Sequence, residues 1–156
     1  MSETRSRYFI RRMRDKDLSE VRAIEVLSFP NPWSESTFRG EIQNAPISQP
    51  LVVLQRPEER VVAYIVYWLI GEDVQINNIA VHPEARGRGV GEALLRHVID
   101  KVREQGATFI SLEVRMSNSA ALALYRKLGF DVLGVRKNYY TNPDEDAMLM
   151  GLMLDQ

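Results

Sequence analysis

The chain has 156 residues, no cysteine and a formal net charge of −1. This length suits one domain with a single core, predicted to cover residues 1–156. The near-neutral charge argues against nucleic acid or an anionic membrane as a partner, and the lack of cysteine excludes disulfides, thiolate metal ligands and a cysteinyl acyl-enzyme. Because the N-terminal region has no apolar targeting core and no run is as long as a membrane span, a cytoplasmic protein is expected.

The first half of the chain predicts two helices and four strands. Apolar residues at helical spacing predict a helix over residues 18–27, which the prolines of segment 29–33 end. Ser34 is a good cap for a second, short helix to about residue 42. Residues 45–50 are predicted as a loop. The strands are predicted at residues 8–13, 51–55, 60–70 and 74–81.

The second half predicts two more helices and three strands. Residues 92–105 carry their apolar side chains on one helical face, and Gly106 ends that helix. Ser117 or Asn118 opens another helix, which Gly129 stops after residue 128. Strands are predicted at residues 109–114, 132–138 and 147–154. Since strands outnumber helices and hairpins mix with crossovers, we predict an α/β fold with a mixed sheet and helices on both faces.

The most informative segment, Arg86-Gly87-Arg88-Gly89-Val90-Gly91, lies between strand 74–81 and the helix that follows. Glycine permits positive φ and close approach of a ligand. Successive backbone N–H groups and the positive end of a helix together bind anions, and arginine side chains match phosphate oxygens. The segment therefore predicts a pyrophosphate-binding loop; the alternative is a turn that only links strand to helix.

This loop is neither of the two common nucleotide-binding loops. No Gly-Lys-Ser/Thr ends it, so it is not the ATP-type loop. Glu92 stands where the dinucleotide fingerprint requires a small residue. The segment instead resembles the acetyl-CoA pyrophosphate loop, Arg/Gln-x-x-Gly-x-Gly/Ala, of the Gcn5-related N-acetyltransferase (GNAT) superfamily.

Further segments extend this resemblance over nearly the whole chain. Residues 78–83 resemble the family's central strand and the turn after it, and residues 112–115 and 118–130 resemble its next strand and last helix. Within the superfamily, the chain most resembles the ribosomal-protein-alanine N-acetyltransferases. The segments that carry this closer likeness are Pro32-Trp33-Ser34, Glu113-Val114-Arg115 and Asn138-Tyr139-Tyr140.

The resemblance implies a mostly antiparallel sheet with a V-shaped acetyl-CoA cleft. It also implies transfer of an acetyl group to a protein N-terminal α-amine, with alanine of a small-subunit ribosomal protein as acceptor, by direct attack in a ternary complex. Two alternatives stay open: a GNAT enzyme acting on lysine or a small amine, and a CoA-binding sensor without turnover. The implied CoA-binding residues are Ile79, Ala80, Val81, Arg86, Gly87, Arg88, Gly89, Val90, Gly91, Glu92, Asn118 and Tyr125.

Glu113 is the candidate general base. Side chains alternate along a strand, so Glu113 shares a face with Ser111 and Arg115. A carboxylate on a largely buried strand is costly unless it is used or paired. The residues leave two alternatives open, proton abstraction and an ion pair with Arg115 or a neighbour; the resemblance implies the base.

Tyr125 is the candidate general acid. It lies seven residues after Asn118, nearly two helical turns, so both are predicted to project from one helix face. Its phenol, of ordinary pKa about 10, can protonate a departing thiolate; the alternative is an ordinary core tyrosine. The resemblance implies the acid role for Tyr125 and a contact of Asn118 with the pantetheine arm.

Two asparagines, Asn77 and Asn78, are adjacent in an otherwise apolar strand. Neighbouring side chains face opposite sides of a sheet, so one amide would meet the core unless the strand is irregular. The pair therefore predicts a β-bulge. The resemblance implies that this bulge splays the strand from its neighbour and admits the pantetheine arm.

Two aromatic and proline-rich loops, residues 29–33 and 138–143, are predicted to grip the acceptor, because such segments order at low entropic cost and supply apolar contact. The alternative is packing of these loops on the domain itself. The two histidines, His82 and His97, lack a ligand set, so no metal is expected. A monomer or weak dimer is expected. The predicted acceptor-binding residues are Phe29, Trp33, Asn138, Tyr139 and Tyr140.

Overall fold

Seven strands form one sheet in the computed structural model, which describes residues 7–154. They are β1 (Tyr8–Arg12), β2 (Ser48–Gln55), β3 (Arg60–Ile70), β4 (Asp73–Val81), β5 (Phe109–Arg115), β6 (Asp131–Tyr140) and β7 (Glu145–Met153). Their order across the sheet is β1-β2-β3-β4-β5-β7-β6. Within the described chain, β4 and β5 are the one parallel pair. The expected mixed, mostly antiparallel sheet is therefore confirmed.

Four α-helices of the described chain cover the sheet: α1 (Leu18–Ser28), α2 (Glu35–Gln43), α3 (Val90–Glu104) and α4 (Ser119–Lys127). Ser34 caps α2 as predicted, since its Oγ accepts the Thr37 N–H at 3.1 Å. None of the helices between residues 7 and 154 combines the length and the apolar character that crossing a bilayer requires.

Helices lie on both faces of the sheet, as predicted, because the central strand β3 is buried on both faces. Its side chains alternate between two apolar clusters. One cluster contains the apolar faces of α3 and α4, and the other contains those of α1 and α2. Val62, Ala63, Ile65 and Tyr67 belong to the first cluster; Val61, Tyr64 and Val66 belong to the second.

Strand β2 begins earlier than predicted. Residues 48–50 were expected in a loop because of Pro50, yet they pair with β3. The Pro50 carbonyl accepts the Met13 N–H at 3.0 Å, and the last residue pair between β1 and β2 is Arg12 with Leu51. Because Pro50 lies just beyond this last pair, the N–H that proline lacks is not needed for the pairing of the strands.

The predicted end of this strand at Asn138, followed by a loop through Tyr139 and Tyr140, was wrong, because strand β6 runs to Tyr140. The pairing with β7 is irregular here, with a register shift between Arg136 and Tyr140. Asn138 takes a positive φ of 54°, and its N–H donates to Asp146 Oδ1 at 2.8 Å. A strand interrupted in this way lacks the period-2 pattern by which strands are predicted.

The predicted bulge in β4 is confirmed. Val66 of β3 lies opposite Asn78 and Tyr67 lies opposite Ile76, so Asn77 has no partner across the pair. The pairing of β4 with β5 also ends at Ile76. The two strands therefore separate from the bulge onward and open a cleft at the centre of the sheet.

Candidate active site

The opening between β4 and β5 leads into a cleft of about 810 Å³. The described chain brings most of the predicted site residues together on its walls. Three predicted site residues, Arg88, Asn138 and Tyr139, do not line it. Those that do are Phe29, Trp33, Ile79, Ala80, Val81, Arg86, Gly87, Gly89, Val90, Gly91, Glu92, Glu113, Asn118, Tyr125 and Tyr140.

The loop before α3 presents backbone donors to the cleft. Gly87 and Gly89 take φ values of +79° and +77°, which suit glycine. Helix α3 begins at Val90, two residues earlier than predicted, and Gly89 provides no side-chain cap. The first backbone bond of the helix is Ala93 N–H to the Gly89 carbonyl at 3.0 Å. The N–H groups before it have no intrahelical acceptor, so they can bind an anion.

The charged side chains of this loop are engaged elsewhere. Arg86 Nε donates to the Val81 carbonyl at 3.1 Å, and its guanidinium reaches Ser28 Oγ at 3.4 Å. Arg88 borders a separate polar depression with Arg60 and Glu84, and its role toward a ligand stays a prediction. In this conformation the groups of the loop that face the cleft are therefore its backbone N–H groups and the positive end of α3.

Glu92, in the first turn of α3, is held by two cations. Its carboxylate accepts from Lys127 Nζ of α4 at 2.8 Å and from Arg96 Nε at 3.0 Å. These hydrogen bonds lower the Glu92 pKa below its ordinary value. The carboxylate thus links α3 to α4 beside the cleft. Of Glu92, the backbone N–H is the group left to bind an anion.

Glu113 projects from β5 into the cleft with its side chain 14% exposed. Residues 110, 112 and 114 are buried on the opposite face, which confirms the predicted alternation. The nearest cation is Arg136, whose Nε lies 3.5 Å from Glu113 Oε2. Arg115, the ion-pair partner considered from the sequence, binds Glu145 at 3.1 Å instead. Because the Arg136 side chain is 55% exposed, solvent screens its pairing with Glu113.

Two tyrosines near Glu113 have raised pKa values. A hydrogen bond to Glu113 raises the pKa of the Tyr139 phenol, although Tyr139 lies outside the cleft lining. Burial raises the pKa of Tyr140 to about 12, and the Arg115 guanidinium lies 4.5 Å from the Tyr140 ring centroid. Both phenols therefore stay neutral near pH 7.

Tyr125 and Asn118 both line the cleft, although Asn118 lies just before helix α4 and not within it. Asn118 is the N-cap of α4, where its side chain accepts the Ala121 N–H at 3.2 Å. Tyr125 is buried within the helix and packs against Phe130, with ring centroids 5.6 Å apart. Burial raises the pKa of its phenol, so the hydroxyl keeps its proton and can donate it.

The bulge leaves one polar group of the cleft without a partner. Asn77 Nδ2 is buried and makes no hydrogen bond within the described chain, and Asn77 lines the cleft. A buried amide donor without an acceptor is costly. The amide-rich pantetheine arm of CoA would supply carbonyl oxygens here, so the walls fit that ligand.

Residues 18–130 match the family model described as the acetyltransferase (GNAT) family. The chain belongs to this family. The fold that the resemblance implied is therefore confirmed for this chain. Acetyl-CoA is the co-substrate that this family uses.

Relatives within this acetyltransferase family are similar over most of their length. A Bacillus subtilis (strain 168) protein, named provisionally as a ribosomal protein bS18-alanine N-acetyltransferase, is 39% identical over 94% of this chain and 96% of its own. The bS18-alanine N-acetyltransferase of Salmonella typhimurium (strain LT2) is 37% identical over 87% and 90%. The crystal structure of the ribosomal-protein-S18-alanine N-acetyltransferase from Escherichia coli superposes with a TM-score of 0.87 at 34% identity, covering 96% of this chain and 95% of that one.

Sequence reasoning missed two groups of this acetyltransferase that shape the cleft. Glu25 is buried among the apolar residues of α1 and lines the cleft. A signal existed, because residues 18, 21, 25 and 28 follow helical spacing and place a carboxylate on the buried face. Asn31 was also missed; its Nδ2 donates to the Thr141 carbonyl at 2.9 Å and joins the two predicted acceptor loops.

Arg115 fixes the turn between β6 and β7 against the end of β5. Its guanidinium donates to the Thr141 carbonyl at 2.9 Å, the Pro143 carbonyl at 3.0 Å and Glu145 Oε1 at 3.1 Å. One planar side chain thus satisfies three acceptors of a single turn. The predicted alternative for Arg115, a pair with Glu113, is replaced by this bracing role.

No group of three or more histidine, aspartate or glutamate side chains in residues 7–154 is arranged to hold a metal ion. His82 accepts the Glu84 N–H through Nδ1 at 3.1 Å, and His97 lies on the exposed side of α3. Both histidines are therefore accounted for as parts of local structure.

Proposed function

We propose that this chain transfers the acetyl group of acetyl-CoA to a protein N-terminal α-amine, with the N-terminal alanine of ribosomal protein bS18 as acceptor. One observation carries the proposal. A single cleft joins the uncapped start of α3 to the carboxylate of Glu113 and the phenol of Tyr125. The names of the relatives from Bacillus, Salmonella and Escherichia support the acceptor.

In the proposed complex, the backbone N–H groups at residues 87–91 bind the diphosphate of CoA. The pantetheine arm enters between β4 and β5, along Ile79 and Val81. Asn77 Nδ2 and Asn118 offer polar contacts to its amides. This binding would bring the thioester to the point where the strands separate, beside Glu113 and Tyr125.

The reaction proposed is direct acyl transfer. The acceptor nitrogen attacks the thioester carbonyl carbon, a C–N bond forms, and the C–S bond then breaks. Glu113 takes the proton that the nitrogen loses, and Tyr125 gives its proton to the leaving thiolate. The raised pKa of Tyr125 keeps the phenol protonated until that step.

An α-amine suits a site with one carboxylate base. Its ordinary pKa is near 8, against about 10.4 for the lysine side chain. A far larger fraction of the α-amine is therefore already neutral near pH 7. The acceptor would lie along the walls formed by Phe29, Trp33 and Tyr140, with Asn138 and Tyr139 farther out on β6.

We further propose that the chain is one N-acetyltransferase domain over residues 1–156 that acts in the cytoplasm. The near-neutral charge supports a protein acceptor over nucleic acid or a membrane surface. A monomer or weak dimer without a metal is proposed as the active form. Gel filtration and activity in the presence of a chelator test these two points.

Mass spectrometry tests the proposed acceptor directly. The protein is incubated with acetyl-CoA and either an alanine-start peptide or the same peptide with a blocked N-terminus and an internal lysine. One added acetyl group on the first peptide alone is the expected result. Acetylation of the lysine peptide alone would favour the lysine enzyme, and no release of free CoA thiol with any amine would favour the sensor.

A further inference from the structure

Glu25 is a buried carboxylate in the wall of the cleft that the proposed reaction does not use. It lies on α1 and is 1% exposed. None of the ion pairs found within residues 7–154 includes Glu25. A buried carboxyl group is costly unless hydrogen bonds compensate it.

Three donors from three different elements supply that compensation. The Tyr64 hydroxyl of β3 and Asn78 Nδ2 of β4 both donate to Glu25 Oε1, the latter at 2.7 Å. The Trp33 N–H donates to Oε2 at 2.9 Å. Through these three hydrogen bonds the carboxyl group ties α1 to the sheet and to the residue just before the cap of α2.

Aromatic rings pack around two of these donors, Trp33 and Tyr64. The Trp33 ring lies 5.2 Å from that of Phe38 between centroids, and Phe38 meets Tyr64 edge-on at 5.5 Å. Tyr64 is the residue that also binds Glu25. These five residues, Glu25, Trp33, Phe38, Tyr64 and Asn78, are called the Glu25 cluster below.

The Glu25 cluster contacts two parts of the cleft wall, segment 29–33 and strand β4. Segment 29–33 leaves α1 four residues after Glu25 and returns to it at Trp33. Asn78 follows the bulge where β4 leaves β5. The carboxylate is therefore hydrogen-bonded both to the end of this segment and to the strand beside the bulge.

We propose that Glu25 is a positioning residue for the acceptor: its carboxylate holds segment 29–33 and Asn78 in the conformation that receives the peptide. The identity of that peptide rests on the proposed function. The contacts of Glu25 lie away from the start of α3, where the diphosphate is proposed to bind, so the Kd for acetyl-CoA is expected to change little when Glu25 is replaced.

The test compares Glu25→Gln with a matched control, Glu41→Gln. Glu41 lies on α2 and accepts from Ser48 Oγ at 2.8 Å and Trp68 Nε1 at 2.7 Å, but it does not line the cleft. Both changes replace a helix carboxylate bound to the sheet. A role in stability alone would leave the kinetics of the two variants alike.

In Glu25→Gln, the amide nitrogen cannot accept the bond that an oxygen accepted. We expect the KM for the alanine-start peptide to rise about tenfold, as the loss of one charged hydrogen bond predicts, with the Kd for acetyl-CoA within about twofold. Glu41→Gln is expected to keep both constants. An unchanged peptide KM in Glu25→Gln, or an equal loss of acetyl-CoA affinity, would overturn the proposal.

Amide exchange followed by NMR tests the positioning without any acceptor. The Trp33 N–H is expected to exchange at least about tenfold faster in Glu25→Ala than in the unmodified chain, since alanine leaves no side-chain acceptor at this position, and to be unchanged in Glu41→Ala. Equal exchange in all three proteins would overturn the role of Glu25. Failure of the unmodified chain to acetylate the peptide would instead overturn the proposed function.

Tyr64→Phe keeps the proposal testable if Glu25→Gln does not fold. It removes one donor and leaves the carboxylate bound to Asn78 and Trp33. A smaller rise in peptide KM, about threefold, is expected together with faster Trp33 exchange. No change in either quantity would contradict the proposal.

Discussion

Glu113 shows how one side chain acquires a chemical role from its surroundings. The alternation of β5 turns it into the cleft, and its only close cation in residues 7–154, Arg136, is largely solvated. The pairing with Arg136 is therefore screened by solvent and leaves the carboxylate facing the cleft.

Replacing Glu113 by glutamine is expected to lower kcat by about 10²–10⁴, the usual contribution of a general base. The Kd for acetyl-CoA is expected to stay within about twofold, because the anion site lies on another element. Steady-state kinetics and calorimetry measure the two quantities, with Glu104→Gln on the exposed end of α3 as the control. Full turnover in Glu113→Gln would remove this residue from the base role.

Gly89 has a left-handed backbone conformation just before α3. A Cβ at this position would meet no protein atom within 4 Å, but the φ of +77° disfavours any side chain, above all a β-branched one. Gly89→Val is therefore expected to displace the start of α3 and to weaken acetyl-CoA binding at least about tenfold. Calorimetry measures this, and Gly40→Ala in mid-helix α2, expected to bind normally, is the control. Wild-type affinity in Gly89→Val would contradict the anion site.

At the scale of elements, the first strand is fastened to α1 by a buried charge pair. Arg11 donates to both oxygens of Asp17 at 2.7 and 2.9 Å, and the Arg14 N–H adds a third bond at 2.8 Å. Burial opposes ionisation of Asp17, but these bonds outweigh it and lower its pKa below the ordinary value.

Asp17→Asn is expected to lower the free energy of unfolding by about 2–3 kcal/mol near pH 7, because Arg11 loses its charged partner. A lowered folded-state pKa stabilises the fold above the unfolded pKa of about 3.9, and this contribution is lost as the pH falls through the folded pKa. The difference between the two proteins is therefore expected to shrink below about pH 4. Urea unfolding at several pH values measures it, with exposed Asp15→Asn as the control. A difference independent of pH would contradict this account.

Elements whose pattern is local could be predicted from the sequence. The apolar run of β3 matched its observed bounds, Arg60–Ile70, and the adjacent Asn77 and Asn78 indicated the bulge. The extent of β6 could not be predicted, because its last residues are held by a distant acceptor, Asp146, and not by an alternating pattern. Glu25 was missed for a similar reason, since all three of its donors are remote in sequence or belong to the next loop.

At the scale of the whole molecule, the cleft is a consequence of sheet topology. Parallel pairing of β4 and β5 ends at Ile76 and Leu112, while both strands continue into the cleft wall. The space between them is where a ligand can take the place of a neighbouring strand. The proposed anion site, the Glu113 carboxylate and segment 29–33 come from three separate regions of the chain, and all three line this opening.

Calorimetric titration with acetyl-CoA and with S-acetyl-pantetheine, which lacks the diphosphate, tests the central claim most directly. If the N–H groups at the start of α3 bind the diphosphate, acetyl-CoA is expected to bind at least about 100-fold more tightly, as two or more charge-assisted hydrogen bonds predict. Equal affinities for the two thioesters, or no heat with acetyl-CoA, would contradict the account.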